Sequence, residues 1–230
     1  MAELAYNEVA RHFDLESIPA LAARFLPDGA LALADLGCGD GPHFAALARS
    51  GSIAPSRPVY AVDLAEARIA RVAARWPFIQ AVVAPADHVP QIPDGSLDFV
   101  ISTMVMEHVP DERRYLDEIR RVLKPGGRAY ITTVFKRPWA WYFRKRDGES
   151  VLDPTHLREY VDLDAFEALV READRFAKIL ALELVPLRFP LLDPLLFRVG
   201  GRLGTKTTRI LRKARVPIPG YYSLEMVVER

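Results

Sequence analysis

Short apolar runs alternate with helix-like segments along most of this 230-residue chain, and no other feature constrains its fold as strongly. Apolar, β-branched runs bounded by turn residues predict buried strands, and the amphipathic segments between them predict crossover helices. The predicted strands span residues 30–36, 58–64, 79–84, 97–104, 127–135, 179–186 and 222–229. This pattern predicts an α/β fold: a doubly wound, seven-stranded, mostly parallel sheet with helices on both faces. The last strand follows its predecessor without a full crossover helix, so it is predicted to be antiparallel.

Several further segments have helical patterns. The sequence predicts two helices within residues 1–29, one carrying Leu4, Val9 and Phe13 and the next carrying Ile18, Leu21 and Phe25. Other helices are predicted to begin near residues 43, 66 and 111, and one is predicted over residues 166–173. With half of its residues hydrophobic, the chain can bury a large core, and its length favours one domain over residues 1–230.

Charge and cysteine content limit the partners and the compartment. The net charge of +1 gives no reason to expect a nucleic acid partner. Residues 186–215 nevertheless carry eight cations and one anion. Cys38 is the only cysteine, so no internal disulfide can form, and a cytoplasmic location is the simplest expectation. The N-terminus has no signal-peptide pattern, and charges and prolines interrupt the most apolar stretch, residues 179–197.

A glycine-rich turn follows the first predicted strand, in the segment Leu33–Gly41. Glycines let backbone amides approach a ligand closely, and the helix that follows favours negative charge. The spacing is Gly-x-Gly-x-Gly with Asp35 two places before it, whereas a dinucleotide site needs Gly-x-Gly-x-x-Gly. A ligand with both an ammonium and a carboxylate suits this turn, because Asp35 would repel a pyrophosphate. Asp63, at the end of the second predicted strand, is placed to accept hydrogen bonds from two ribose hydroxyls.

These residues resemble those of class I S-adenosylmethionine-dependent methyltransferases of the small-molecule type, methyltransferase-11-like. The likeness runs from about residue 32 to residue 135 and includes three further signatures: Pro93–Asp98, Glu107–Val109 and Leu123–Gly127. The resemblance implies a Rossmann-like sheet and S-adenosyl-L-methionine as the cofactor. It divides the domain into N-terminal helices (1–29), a cofactor-binding half (30–135) and a substrate-facing half with basic insertions (136–230).

The resemblance also extends the set of candidate cofactor-binding residues. The acidic residue that the family often places near the adenine amine falls on Pro85 here, so Asp87 or backbone atoms of Ala86 are expected to serve instead. Ser102 and Thr103, at the end of the fourth predicted strand, match the positions that flank the methionine moiety. The full candidate set is Asp35, Gly37, Cys38, Gly39, Asp63, Leu64, Ala86, Asp87, Ser102 and Thr103.

Two of the five histidines are candidate catalytic residues. His108 follows the fourth predicted strand, where the carboxyl edge of the sheet faces the ligand crevice. His156 lies in a polar segment of the substrate-facing half, and either imidazole could take a proton from an acceptor hydroxyl near neutral pH. His43 is expected to be an ordinary helix-face residue. The histidines are scattered along the sequence and show no metal-ligand spacing, so no metal is predicted.

The acceptor is predicted from the basic insertions. Residues 136–146 interleave aromatic side chains with cations, which suits stacking on a sugar or contact with a lipid headgroup. This region looks like that of methyltransferases associated with surface-polysaccharide assembly. The expected acceptor is therefore a small or lipid-linked molecule, a glycan or nucleotide-sugar hydroxyl or amine, with peripheral contact to a membrane surface. Two alternatives stay open at this point: an NAD-dependent dehydrogenase on a Rossmann-like sheet, and a non-catalytic cofactor-binding scaffold.

Overall fold

The structure is a computed structural model and describes residues 14–190 and 215–230. The first predicted N-terminal helix and most of the arginine-rich segment after Pro186 lie outside these residues. The helices are α1 (Ala20–Phe25), α2 (Phe44–Arg49), α3 (Glu66–Arg75), α4 (Glu112–Val122) and α5 (Leu163–Arg171), and a 3₁₀ turn covers Glu172–Asp174. The strands are β1 (Leu33–Leu36), β2 (Val59–Asp63), β3 (Gln80–Val83), β4 (Leu97–Thr103), β5 (Leu123–Lys136), β6 (Lys145–Arg146), β7 (Glu149–Ser150), β8 (Lys178–Pro190) and β9 (Arg215–Glu229).

Seven of these strands form one sheet in the order β3-β2-β1-β4-β5-β9-β8. β1 to β5 pair in parallel, and β9 runs antiparallel to both of its neighbours, β5 and β8. The predicted seven-stranded, mostly parallel sheet with an antiparallel C-terminal strand is therefore confirmed.

Alternation along the strands gives the sheet two buried faces. In β4, Val100 packs on the face covered by α4 and α5, together with Tyr115 and Phe166. Its neighbours Phe99 and Ile101 point to the opposite face, which α1, α2 and α3 cover. Helices thus lie on both faces, as the sequence predicts, and the parallel strands are apolar on both sides.

Several element boundaries differ from the predicted ones for identifiable local reasons. α5 begins three residues earlier than expected, because the Asp162 side chain caps it by accepting hydrogen bonds from the amides of Asp164 and Ala165. β5 begins at Leu123, and the pairing of Leu97 with Leu123 is followed by a shift in register before Phe99 pairs with Arg128. β6 and β7, which were not predicted, form a hairpin whose turn residues Asp147 and Gly148 both have positive φ.

Within residues 14–190 and 215–230, each helix is too short or too polar to cross a bilayer.

Candidate functional site

The glycine turn joins β1 to α2 at the carboxyl edge of the sheet. Gly37 and Gly39 have φ values of +76° and +55°, a left-handed backbone that favours glycine. A Cβ on Gly37 would lie 2.2 Å from Cγ2 of Val105, in the loop that follows β4. The close approach of Val105 therefore requires glycine at this position and joins the turn to the β4–α4 loop.

Asp63, the last residue of β2, holds the turn from its other side. Its Oδ2 accepts a hydrogen bond from the Gly39 amide, and its Oδ1 accepts one from the Ala65 amide, each at 2.8 Å. A carboxylate offers about four acceptor positions, so both oxygens can accept a further hydrogen bond. The half-buried carboxylate therefore suits a vicinal diol such as that of a ribose.

Asp35 lies beneath the turn and is fully buried. Its Oδ2 is 2.9 Å from Nδ1 of His43, which is itself buried. The expectation that His43 is an ordinary helix-face residue is therefore wrong, because its ring is the partner of a buried carboxylate. Among residues 14–190 and 215–230, Asp35 Oδ1 has no hydrogen-bond partner, so it can still accept a hydrogen bond from a donor such as an ammonium group. This fits the ligand type that the turn suggests, although contact between Asp35 and a ligand stays a prediction.

The Asp35–His43 pair makes stability depend on pH. Burial alone would lower the pKa of His43, but the charge and the hydrogen bond of Asp35 outweigh burial and raise it above the ordinary value of 6.5. The pair therefore stabilises the folded state fully below pH 6.5, and this contribution is lost as the pH rises through the folded-state pKa. We expect a His43→Gln variant to lose more unfolding free energy at pH 5.5 than at pH 8.5, measured by urea titration. Equal losses at both pH values would contradict the assignment.

The other predicted cofactor residues lie around the same edge. Burial raises the pKa of the Cys38 thiol, which makes a nucleophilic thiolate unfavourable there. Ser102 is fully buried, and its hydroxyl donates to the Leu36 carbonyl at 2.7 Å, tying β4 to β1. Leu64 is 72% exposed directly after Asp63 and presents an apolar surface beside it.

Thr103 is half-buried at the end of β4, Ala86 is buried and Asp87 is half-buried. Ligand contacts stay predictions for all six of these residues: Cys38, Leu64, Ala86, Asp87, Ser102 and Thr103.

The two candidate catalytic histidines lie side by side, although 47 residues separate them in the sequence. His108 lies in the loop after β4, and His156 lies in the segment before α5. The ring centroids of His108 and His156 are 4.8 Å apart, and the rings meet edge to face. His108 is exposed and His156 is buried. A hydrogen bond from the Leu157 amide to the Glu107 carbonyl, 2.9 Å long, fixes one loop against the other.

Glu159, three residues after His156, orients its ring and is not among the predicted site residues. Glu159 Oε1 is 2.9 Å from Nδ1 of His156 and also accepts from the Leu152 amide at 2.7 Å. The Tyr221 hydroxyl donates to Oε2 at 3.3 Å. Burial would raise the pKa of Glu159, but the hydrogen bonds from His156 and Leu152 outweigh burial and lower it. An anionic Glu159 accepts a hydrogen bond from the Nδ1–H tautomer of His156, which leaves Nε2 with its lone pair.

Glu107 completes this group as a buried carboxyl. Its Oε2 accepts from the Thr133 hydroxyl at 2.8 Å, whereas its Oε1 is buried without a partner among the described residues. Burial raises the pKa of Glu107. A buried oxygen without a donor is costly, so this position favours a ligand that brings a donor to it.

Glu107, His108 and His156 also form a potential metal-ligand set. Their donor atoms all lie within 4.8 Å of one another, so the fold unites histidines that the sequence shows as scattered. Ligands of one zinc ion lie about 2.0–2.2 Å from it, and hence no more than about 4.4 Å apart. Donor atoms 4.8 Å apart would have to move a few tenths of an ångström closer together to hold one zinc ion. The absence of a metal stays a prediction.

The loop after β4 brings the two halves of the site together. Val105 packs on Gly37 in the glycine turn, and the His108 amide donates to the Val105 carbonyl at 2.8 Å. Met104, just before them, has a φ of +56°, a conformation that is strained in a residue with a side chain. The loop after β4 therefore contacts the glycine turn and also carries His108, one of the two candidate catalytic residues.

A doubly wound α/β sheet with a glycine turn and an aspartate at its carboxyl edge is typical of proteins that bind nucleosides. Comparison with known proteins narrows this class. The sequence model of the family described as "Methyltransferase domain" matches residues 34–131. Residues 34–131 therefore match a methyltransferase domain, as the resemblance to class I S-adenosylmethionine-dependent methyltransferases implies.

Individual relatives match the same half of the chain. A human thiol S-methyltransferase is 31% identical over 134 residues, which are 55% of this chain and 51% of the relative. A ubiquinone biosynthesis O-methyltransferase from Pseudomonas aeruginosa is 30% identical over 150 residues, 60% of this chain and 62% of the relative. The chain thus spans about half the length of the curated relatives it matches.

Solved structures show the same fold over a longer stretch. Phosphoethanolamine N-methyltransferase 2 from Haemonchus contortus, in complex with S-adenosyl-L-methionine, has a TM-score of 0.62. The superposition covers 92% of this chain and 51% of that one at 16% sequence identity. At this identity the likeness concerns the fold alone.

Proposed function

We propose that this protein transfers the methyl group of S-adenosyl-L-methionine to a small or lipid-linked acceptor, a glycan or nucleotide-sugar hydroxyl or amine. The observation that carries the proposal is the β4–α4 loop, which packs Val105 on Gly37 and holds His108 against His156. A donor held at the turn and an acceptor held at the histidines would then be neighbours, as direct transfer requires.

The donor half supplies binding and orientation. Asp63 would accept from the ribose hydroxyls, and the unpartnered Oδ1 of Asp35 would accept from the ammonium. Methyl transfer is an in-line displacement in which the sulfonium is already activated by its own charge. The work left to the protein is alignment of the two reactants and exclusion of water.

The acceptor half supplies a base where the acceptor is a hydroxyl. Glu159 holds His156 so that Nε2 can take the hydroxyl proton, and the anionic carboxylate stabilises the imidazolium that forms. The oxygen then forms its bond to the methyl carbon as the carbon–sulfur bond breaks. An amine acceptor would need no strong base, so its methylation would depend less on His156.

The names of two relatives, a thiol S-methyltransferase and a ubiquinone biosynthesis O-methyltransferase, both describe reactions of small molecules and support an acceptor of this class. The deciding experiment incubates the protein with S-adenosylmethionine labelled in its methyl group and with fractionated extract of the host. We expect label in a low-molecular-weight or lipid fraction. Cofactor binding without any labelled product would favour the scaffold alternative.

A thermal-shift comparison tests the dehydrogenase alternative. We expect S-adenosylhomocysteine to raise the melting temperature and NAD to leave it unchanged. The opposite result would overturn the proposed cofactor.

Replacement of Asp63 should weaken cofactor binding. Asp63→Ala removes the ribose contacts and also frees the Gly39 amide, so we expect S-adenosylhomocysteine to bind at least tenfold more weakly in calorimetry, since hydrogen bonds to a charged group contribute about 1.5–3 kcal/mol. Asp94→Ala is the matched control. This exposed carboxylate pairs with Arg121 and lies before the start of β4, away from the carboxyl edge of the sheet. Unchanged affinity in Asp63→Ala would contradict the assignment.

A further inference from the structure

Three aromatic side chains are exposed on the loop between β5 and β6. Trp139, Trp141 and Phe143 are 65%, 58% and 53% exposed, whereas Tyr142 among them is buried. The loop therefore presents three large aromatic rings to the surface within five residues. Exposure of three large aromatic side chains in a row calls for a partner.

The loop is held in place from its inner side. Tyr142 packs with Val134, Ile218 and Tyr221 in a small buried cluster. The Arg137 amide donates to the Gly220 carbonyl at 2.8 Å, and the Trp141 amide donates to the Pro219 carbonyl at 3.1 Å. The outward direction of the three rings is therefore set by β9 and does not depend on a ligand.

Cations flank the aromatic side chains. Residues 136–150 contain five cations and two anions, and Arg137, Arg144 and Lys145 are exposed. The Arg144 guanidinium lies 5.8 Å from the centre of the Phe143 ring. The start of β9, where Pro217 pairs with Arg188 of β8, lies next to this loop, since the Trp141 amide donates to the Pro219 carbonyl.

We infer that Trp139, Trp141 and Phe143, with Arg137, Arg144 and Lys145, form a docking face for the surface of an anionic lipid bilayer. Tryptophan and phenylalanine side chains partition into the headgroup boundary, and adjacent arginines and lysines pair with anionic headgroups. The excess of cations over anions around the rings favours an anionic bilayer over a folded protein partner.

The docking face lies beside the proposed acceptor site. Arg146, in the adjoining strand β6, donates to the carbonyl of His156, and Lys136, the last residue of β5, lies 3.6 Å from Glu159. A lipid-linked acceptor lifted from the bilayer would therefore reach His156 directly. The inference rests on the proposed function for this delivery step alone, and the membrane contact itself can be tested without an acceptor.

Vesicle sedimentation tests the docking face with the full chain. Vesicles of phosphatidylcholine alone and vesicles with about one third phosphatidylglycerol are compared at low and high salt. We expect binding to the anionic vesicles, weakened at least tenfold in a Trp139→Ser, Trp141→Ser double variant and several-fold in Arg144→Gln, Lys145→Gln or in high salt. Val83→Ser, an exposed apolar position on β3 at the far edge of the sheet, should bind as the parent does.

Three outcomes would overturn the inference: no binding to anionic vesicles, equal binding by the tryptophan variant, or displacement by free glycerol phosphate, which would indicate a phosphate-binding site instead. S-adenosylhomocysteine binding is measured for each variant. If the parent protein binds S-adenosylhomocysteine but not anionic vesicles, the docking face is refuted and the proposed function is unaffected. If the parent protein does not bind S-adenosylhomocysteine, the proposed function is refuted.

Discussion

A Gly37→Ala chain should fold and yet bind S-adenosylhomocysteine at least a hundredfold more weakly than the parent. The added Cβ would lie 2.2 Å from Cγ2 of Val105 and within 3.3 Å of its Cβ. Because the valine side chain is short and stiff, no rotamer removes both contacts. The turn or the β4–α4 loop must shift instead, and both carry the proposed site.

Gly51→Ala is the matched control for this variant. Gly51 has nearly the same φ, +74° against +76°, but its added Cβ meets nothing within 4 Å. Both variants bear the cost of a left-handed alanine, about 1–2 kcal/mol, which lowers the melting temperature by a few degrees in a chain of this size. Only Gly37→Ala also displaces Val105. Calorimetry with S-adenosylhomocysteine should therefore separate them, and equal losses in both would show that backbone strain alone is responsible.

The donor half of the site could be predicted from sequence because it is local. The residues from Asp35 to Gly41 form one contiguous turn, and Asp63 ends the next strand, so a strand–turn–helix pattern suffices to find them. The partner of Asp35 was missed, although His43 lies only eight positions on. Nothing in the pattern shows that α2 turns this ring inward to meet a buried carboxylate.

The acceptor half could not be assembled in the same way. Glu107 lies on the loop after β4, Glu159 lies before α5 and Tyr221 lies on β9, and only the tertiary fold brings them together. His108 and His156 can each be identified from the sequence, but no periodicity in the sequence relates one to the other. The same limit explains why β6 and β7 were missed, since two-residue strands have no period to detect. The Asp147–Gly148 dipeptide was the available signal for that hairpin.

For the loop between β5 and β6, the residue types in the sequence indicate what the segment can contact. The sequence does not show which of these side chains are exposed. Interleaved aromatics and cations indicate a segment that stacks on a sugar or contacts a lipid headgroup. The structure exposes only some of these rings, because Tyr142 packs against Tyr221 while Trp141 and Phe143 are exposed. Only the position of β9 beneath the loop decides which residues are buried.

Replacement of His156 should separate catalysis from cofactor binding. We expect His156→Ala to lower turnover of a hydroxyl acceptor by about a hundredfold to ten thousandfold, the range associated with loss of a general base. S-adenosylhomocysteine affinity should stay within twofold, because His156 contacts Glu159 and His108 and none of the residues that form the glycine turn. His88→Ala, an exposed histidine outside this group, should match the parent in both measurements.

The buried position of His156 requires a second variant, since alanine there leaves a cavity and removes one of the hydrogen-bond donors to Glu159. His156→Gln keeps a donor for Glu159 while removing the imidazole base, so it should restore stability to urea without restoring turnover. Glu159→Gln should lower turnover by a smaller factor, because it removes the group that orients His156 and leaves the ring in place. If the glutamine variant at position 156 regained activity together with stability, His156 would be a structural residue, and the base would have to be His108 or Glu107.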